Sequence, residues 1–193
     1  MPRFFVTFIL LLAVLFGLEL TPWAQAAVVA PWTDAVARVA TALIHTVDPG
    51  VRTSGNVISA AKGAFAVSIE AGCNGVEATL VLVAAIVAFP ATWRHRLMGI
   101  AIGTVAVQGL NVVRVISLFY LGQWNYDAFE WAHLYVWQAL IMLDVLIVWL
   151  LWVRLVPEPR PTSRPSLSVR SPKPRRPSSE ALRTSSSRRN SKT

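Results

Sequence analysis

Four long apolar stretches alternate with polar segments along the first 156 residues. A helix that crosses a bilayer needs roughly 20 mostly apolar residues, and each stretch approaches or exceeds that length. The pattern therefore predicts an all-α integral membrane protein with about four transmembrane helices. The predicted spans are residues 4–20, 75–93, 97–121 and 133–153.

The segment between the first two predicted spans, residues 21–72, contains a helical pattern of its own. Its apolar residues recur at helical spacing with polar residues opposite, which predicts an amphipathic helix lying on the outer leaflet or on the spans. Thr33 is predicted to cap the start of this helix, and Asp48-Pro49-Gly50 to stop it. The predicted apolar stripe consists of Val36, Val39, Ala40, Leu43, Ile44 and Val47.

A period-two pattern follows in the same segment. Residues 65–70 alternate between apolar and polar, as a half-buried strand does, and a weaker run at 56–59 precedes them. Lys62-Gly63 suits a turn between the two runs. We therefore predict a short β-hairpin that leads directly into Cys73.

Positive charge is concentrated at the C-terminal end of the chain. Residues 154–193 hold eleven Lys and Arg and two acids, which leaves seven basic residues (18 − 11) and eight acids (10 − 2) for the remainder. Residues 157–193 are rich in Pro, Ser and Arg and have almost no apolar residues to bury, which predicts a disordered tail. We interpret residues 1–156 as one membrane domain and the tail as a cytoplasmic segment attracted to anionic lipid, not to nucleic acid.

The distribution of Lys and Arg predicts the orientation of the spans. Arg3, Arg94, Arg96 and the basic tail are expected in the cytoplasm, and the connection 122–132, which has no Lys or Arg, outside. Both termini are then cytoplasmic. Ala24-Gln25-Ala26 resembles a signal-peptide cleavage site, so a cleaved first segment remains an alternative to the favoured uncleaved anchor; either leaves the following loop outside.

Three reactive side chains are predicted at the outer ends of three spans. They are Cys73, the only cysteine in the chain, Arg114, which lies in an apolar run, and His133. An ionisable group near hydrocarbon is costly and indicates a functional site. A thiol, a guanidinium and an imidazole can supply a nucleophile, an anion-binding group and a proton carrier for acyl transfer.

Four neighbouring residues are predicted to support these groups. Gly75, with Gly72, permits a tight turn around Cys73, and Glu77 follows the cysteine at i+4, where it is placed to orient His133 or pair with Arg114. A purely structural pairing of Arg114 with Glu77 or with Asp144 is an equally open reading. Asn111 lies one turn before Arg114, where it is predicted either to hold the guanidinium or to form a hydrogen bond between helices without a catalytic role. The supporting residues are Asn74, Gly75, Glu77 and Asn111.

No metal or cofactor site is predicted. A single cysteine excludes an internal disulfide and a multi-cysteine centre, and the three histidines, at positions 45, 95 and 133, are scattered. A thiol-redox enzyme is disfavoured because no second cysteine can act as the resolving partner.

Together these motifs resemble the exosortase/archaeosortase family, and the short four-span form resembles exosortase H most. The resemblance covers roughly residues 5–155, outside which the basic tail lies. Asn74 stands where family members more often have serine. The motifs are Cys73-Asn74-Gly75-Val76-Glu77, Asn111-Val112-Val113-Arg114 and His133-Leu134-Tyr135-Val136-Trp137-Gln138.

The resemblance implies a cysteine transpeptidase or protease of the bacterial inner membrane with its active site on the extracytoplasmic side. Its substrates would be secreted proteins that end in a short signature, a transmembrane helix and a basic cluster. Cys73 would form a thioester, His133 would move protons and Arg114 would stabilise the thiolate or the oxyanion. The main alternative is a non-enzymatic membrane assembly or scaffold subunit; a small transporter or channel component is less consistent with polar residues gathered at one end of the spans.

Overall fold

The computed structural model describes residues 2–60 and 65–156, which form five helices and one small sheet. Three of the helices are long and apolar enough to cross a membrane: α2, α4 and α5. α3 is apolar but has 13 residues, and α1 packs along it. The elements are α1 (Pro2–Glu19), α2 (Pro22–Ile44), β1 (Arg52–Ser54), β2 (Val57–Ser59), β3 (Ala66–Ser68), α3 (Val76–Ala88), α4 (Trp93–Trp124) and α5 (Tyr126–Leu155).

The predicted class, a mainly helical membrane protein, is therefore confirmed, whereas the count of four spans stays a prediction. α3 ends five residues before the predicted end of the second span. Phe89, which follows its last residue, has an extended backbone (φ −78°, ψ 137°) because it precedes Pro90, and the proline ring disfavours a helical conformation at the preceding residue.

α5 begins earlier than predicted, at Tyr126. The side chain of Asn125 accepts a hydrogen bond from the backbone N–H of Ala128 and so caps the helix. His133 was predicted to open the last span, but it lies two turns inside α5, in a π-helical turn over Ala132–Val136. Single π turns inside α-helices are frequent at functional sites.

α2 differs from the predicted amphipathic helix in its start and in its buried face. Thr21 caps it, and the predicted cap, Thr33, lies inside the helix with its hydroxyl donating to the Val29 carbonyl at 2.8 Å. The helix starts earlier because Pro22 suits a first helical position. Val39, Leu43 and Val47 of the predicted stripe are exposed, and the buried residues of α2 are Ala24, Val29, Thr33, Val36, Ala37, Ala40, Thr41 and Ile44.

The sheet contains the predicted hairpin and one strand that was not predicted. β2 and β3 pair antiparallel with Val57 opposite Ser68, and β1 pairs with the other side of β2. β1, with the sequence Arg-Thr-Ser, has no apolar alternation that would reveal it. The predicted turn at Lys62-Gly63 lies outside the described residues.

Two hydrophobic clusters hold the helices together. The first joins α2, the sheet and α4 around Ile44, Ile58 and Phe119. The second joins α3, α4 and α5 around Leu82 and Trp152. The first cluster fixes the sheet against α4, and the chain leaves the sheet directly into the segment that carries Cys73. Residues 157–193, with the predicted disorder, lipid attraction and domain boundary of the tail, lie outside the described residues.

Candidate active site

Cys73 lies in a tight turn between β3 and α3. Its backbone N–H donates to the Glu70 carbonyl at 2.9 Å, and Gly72 adopts a left-handed backbone with φ +83°. Glycine reaches that conformation without steric cost. The turn directs the half-buried thiol toward α4 and α5.

Arg114 of α4 holds both the thiol and the turn. Its Nη1 donates to the Gly72 carbonyl at 3.1 Å, and its Nη2 lies 3.4 Å from Cys73 Sγ. The side chain is only 2% exposed. Burial of a guanidinium is costly unless its donors are paired. Nη1 and Nη2 are paired with a backbone carbonyl and the sulfur, whereas Nε has no partner among the described residues.

His133 of α5 completes the group. Cys73 Sγ lies 3.9 Å from both Nδ1 and Nε2 of the ring, so a small rotation brings either nitrogen into position for proton transfer. The ring stacks on Phe129, one turn earlier, with centroids 5.8 Å apart and planes within 4°. Phe129 thus fixes the plane of the imidazole.

Asn74 and Gly75 set the start of α3 beside the cysteine. Asn74 is buried: its Nδ2 donates to Thr33 Oγ1 of α2, and its Oδ1 accepts from the Val76 N–H. Gly75 has φ +75°, and a Cβ there would lie 2.8 Å from the Gln108 amide. Gln108 Nε2 donates to the Gly75 carbonyl at 2.9 Å, so α2 and α4 both fix the segment that carries the thiol.

Two of the supporting residues have different roles from those predicted. Glu77 bonds neither His133 nor Arg114; its Oε1 accepts from the Gly72 N–H at 2.6 Å, because the turn folds back over the first turn of α3. Asn111 is fully buried, and neither atom of its amide has a hydrogen-bond partner among the described residues. It therefore does not hold the guanidinium but packs beside Gly75.

The sequence left open a purely structural pairing of Arg114 with Glu77 or Asp144, and the hydrogen bonds of the described residues do not show this pairing. Glu77 is engaged by Gly72, and Asp144 Oδ2 is buried with no partner among residues 2–60 and 65–156. The guanidinium is bonded to Cys73 and Gly72 instead.

Burial raises the pKa of the Cys73 thiol above its ordinary value, and the guanidinium of Arg114 opposes this, while Glu77 and Glu70 add to it. The positive charge therefore offsets part of the cost of forming a buried thiolate. The backbone N–H of Gly72 donates to the Glu77 carboxylate, and that of Cys73 donates to the Glu70 carbonyl. Since these two N–H groups already have acceptors, the guanidinium of Arg114 is the charged donor that reaches the sulfur.

A cavity of about 140 Å³ opens onto these three side chains. Its lining includes Cys73, Arg114 and His133 together with residues 67–70, which comprise the last two residues of β3 and the two residues after it. Larger cavities between the helices, such as one of about 470 Å³ beside His95 and Trp152, lie away from the thiol.

The sequence of the chain matches the family model described as "Transmembrane exosortase" over residues 3–153. The chain belongs to the transmembrane exosortase family. No curated protein and no solved structure gives a match. Family membership, together with three helices able to cross a membrane, makes it a multi-pass membrane protein of a cysteine transpeptidase family.

Sequence reasoning missed two residues of this candidate site, Phe129 and Glu70. Phe129 precedes His133 by four residues, so recognition of Asn125 as a helix cap would have placed both rings on one face. The backbone carbonyl of Glu70 accepts from the Cys73 N–H, a contact for which residue type carries no signal, and its side-chain charge also raises the pKa of the thiol. The described residues contain no group of three or more His, Cys, Asp or Glu that could hold a metal ion.

Proposed function

We propose that the chain is a membrane cysteine transpeptidase or protease that cleaves the C-terminal sorting signal of secreted, membrane-anchored proteins. The observation that carries this proposal is the position of one sulfur atom. Cys73 Sγ lies within 4 Å of a buried guanidinium and of both imidazole nitrogens, at the wall of a cavity. Nucleophile, base and anion-stabilising donor are the groups that acyl transfer requires.

In the proposed reaction His133 takes the thiol proton and the Cys73 sulfur attacks the carbonyl carbon of the scissile peptide bond. The Arg114 guanidinium stabilises the thiolate and then the negative charge on the carbonyl oxygen. The C–N bond breaks, the leaving amine receives the proton from His133, and a thioester remains on Cys73. An acceptor amine, hydroxyl or water attacks the thioester, the C–S bond breaks, and the thiol is regenerated.

The site is proposed to lie on the extracytoplasmic side, with both termini in the cytoplasm. The support is the positive-inside pattern together with the place of Arg114 in α4. Arg114 is ten residues from Trp124, the last residue of the helix, and twenty-one from Trp93, the first. A substrate anchored by a transmembrane helix presents its scissile bond just outside the lipid, on the same side as the proposed site.

The proposal is tested by trapping the covalent intermediate. Membranes that contain the protein and candidate anchored substrates are quenched in acid, and a hydroxylamine-sensitive adduct at Cys73 is sought by mass spectrometry. We expect the adduct in the unchanged protein and in His45→Ala, whose histidine is exposed on the segment after α2. We expect it to be lost in Cys73→Ala and to fall at least tenfold in His133→Ala.

The scaffold alternative makes the opposite prediction. It requires Cys73→Ala to leave the processing of every anchored surface protein intact. Unchanged processing in that variant, with normal protein levels, would refute the transpeptidase function.

A further inference from the structure

β3 is an edge strand whose outward-facing backbone can be identified from its pairing with β2. Ile69 N–H donates to the Asn56 carbonyl, and Ala60 N–H donates to the Phe65 carbonyl. Antiparallel strands bond their neighbour through alternate residues. Residues 65, 67 and 69 therefore bond β2, and the backbones of Ala66 and Ser68 face the open edge.

This edge is free in the part of the chain that the structure describes. The backbone N–H and C=O groups of Ala66 and Ser68 have no hydrogen-bond partner there, and both residues are exposed. An unpaired strand edge is a template for another extended segment, and main-chain bonds then supply the affinity.

The edge leads to the thiol. Phe65, just before β3, packs against Gly122 and Phe119 of α4, whereas Cys73, just after it, contacts Arg114. Gly122 and Arg114 are about 12 Å apart along a helix axis at 1.5 Å per residue. β3 thus runs along α4 from near the end of that helix toward its interior, and residues 67–70 line the cavity beside the sulfur.

We propose that β3 binds the substrate as an added parallel strand, formed by the extended segment that precedes the scissile bond. The inference rests on the proposed function. A substrate anchored by a C-terminal helix approaches from the exported side, so its chain runs toward the membrane, in the same direction as β3. Pairing with Ser68 and Ala66 places the following carbonyl in the cavity, next to Cys73.

The hydrogen bonds between β3 and the added strand can be tested on the unchanged protein with a synthetic probe. The probe is acetyl-pentaalanine chloromethyl ketone, and the measurement is its rate of alkylation of Cys73 in detergent. Each amide N–H is replaced in turn by an ester oxygen. A strand in a sheet directs alternate residues to each neighbour, so we expect esters at alternate positions to slow labelling roughly fivefold per lost hydrogen bond. Esters at the intervening positions should have less than a twofold effect.

Two proline variants provide a test from the side of the enzyme. Ser68→Pro removes an outward N–H from β3, and Thr53→Pro removes the corresponding outward N–H on the opposite edge strand, β1. We expect Ser68→Pro to slow the peptide probe at least fivefold while iodoacetamide, which has no peptide, labels Cys73 at the unchanged rate. In Thr53→Pro both rates should stay within twofold of the unchanged protein.

Equal rates across the ester series would overturn the inference, as would a probe that does not label Cys73. Equal rates are also expected if a second copy of the chain occupies the edge. Either failure leaves the proposed function standing if the hydroxylamine-sensitive adduct still forms from anchored proteins. If that adduct does not form but esters at alternate positions of the probe still slow labelling, the proposed function is refuted and the binding of a peptide to the edge of β3 is supported.

Discussion

The guanidinium of Arg114 contacts the sulfur of Cys73, with Nη2 3.4 Å from Sγ, although the two residues are 41 positions apart in the chain. The same guanidinium donates to the carbonyl of Gly72, the residue before the cysteine. A buried cation is costly unless it is paired. The same guanidinium therefore stabilises the turn, through the Gly72 carbonyl, and sets the charge beside the reactive sulfur.

Replacement of Arg114 should lower activity even when charge is kept. Arg114→Lys retains a cation, but a single ammonium cannot match the two-donor geometry that reaches both Gly72 and Cys73. We expect the rate of adduct formation to fall about 10²–10³-fold in Arg114→Gln, with a smaller loss in Arg114→Lys. The measurement is single-turnover adduct formation at Cys73.

The control for this prediction is Arg38→Gln, which removes an exposed arginine from α2. It should retain full activity. Equal activity in Arg114→Gln and the unchanged protein would show that the contact with sulfur has no catalytic consequence.

The reactivity of the Cys73 thiol should depend on pH in a direction set by its neighbours. Its pKa lies above the ordinary value of 9.0, and the thiolate is the nucleophile, so iodoacetamide labelling should rise about tenfold per pH unit between pH 7 and 9. Glu77 raises this pKa and Arg114 lowers it. At pH 8, Glu77→Gln should therefore react faster and Arg114→Gln more slowly.

Glu77→Gln keeps an oxygen that can accept from the Gly72 N–H, so its effect reports charge more than turn geometry. Glu130→Gln, which changes an exposed carboxylate of α5, is the matched control and should leave the pH profile unchanged. A shift in the same direction for Glu77→Gln and Arg114→Gln would contradict the electrostatic account.

Gly75→Ala should destabilise the protein. The backbone there has φ +75°, and the added Cβ would lie 2.8 Å from the Gln108 amide. We expect a loss of about 1–3 kcal/mol, measured as a lower midpoint of thermal unfolding in detergent. Gly109→Ala on α4 is the control, because its Cβ meets nothing within 4 Å and alanine favours a helix. An unchanged midpoint for Gly75→Ala would argue against the left-handed turn.

Phe129→Leu should impair proton transfer without removing a reactive group. The ring of Phe129 stacks on His133, and aromatic pairs contribute about 0.5–1.5 kcal/mol, so adduct formation should slow roughly two- to tenfold. Tyr135→Leu, which changes an exposed ring on the same helix, should have no such effect. Equal rates in both variants would indicate that the stacking does not orient the imidazole.

Much of the fold follows from the local pattern of the chain. The apolar runs that became α1, α4 and α5, and the alternation in residues 65–70 that became β3, are set by neighbours close in sequence. The boundaries were less predictable. Pro90 ended α3 early through a local steric effect, and the start of α5 depended on a cap at Asn125.

The choice of Cys73, Arg114 and His133 as candidate residues also came from the sequence, because reactive groups in apolar surroundings are costly and stand out. The sequence did not show that the three side chains contact one another. Spacing along a helix predicts how deep a residue lies in the membrane but not which neighbouring helix it faces. The partner of Glu77, the unpaired amide of Asn111 and the ring beneath His133 were decided by how the helices pack. The open edge of β3 was likewise decided by pairing between strands, because the alternation in residues 65–70 predicts a strand but not which neighbours lie on its two sides.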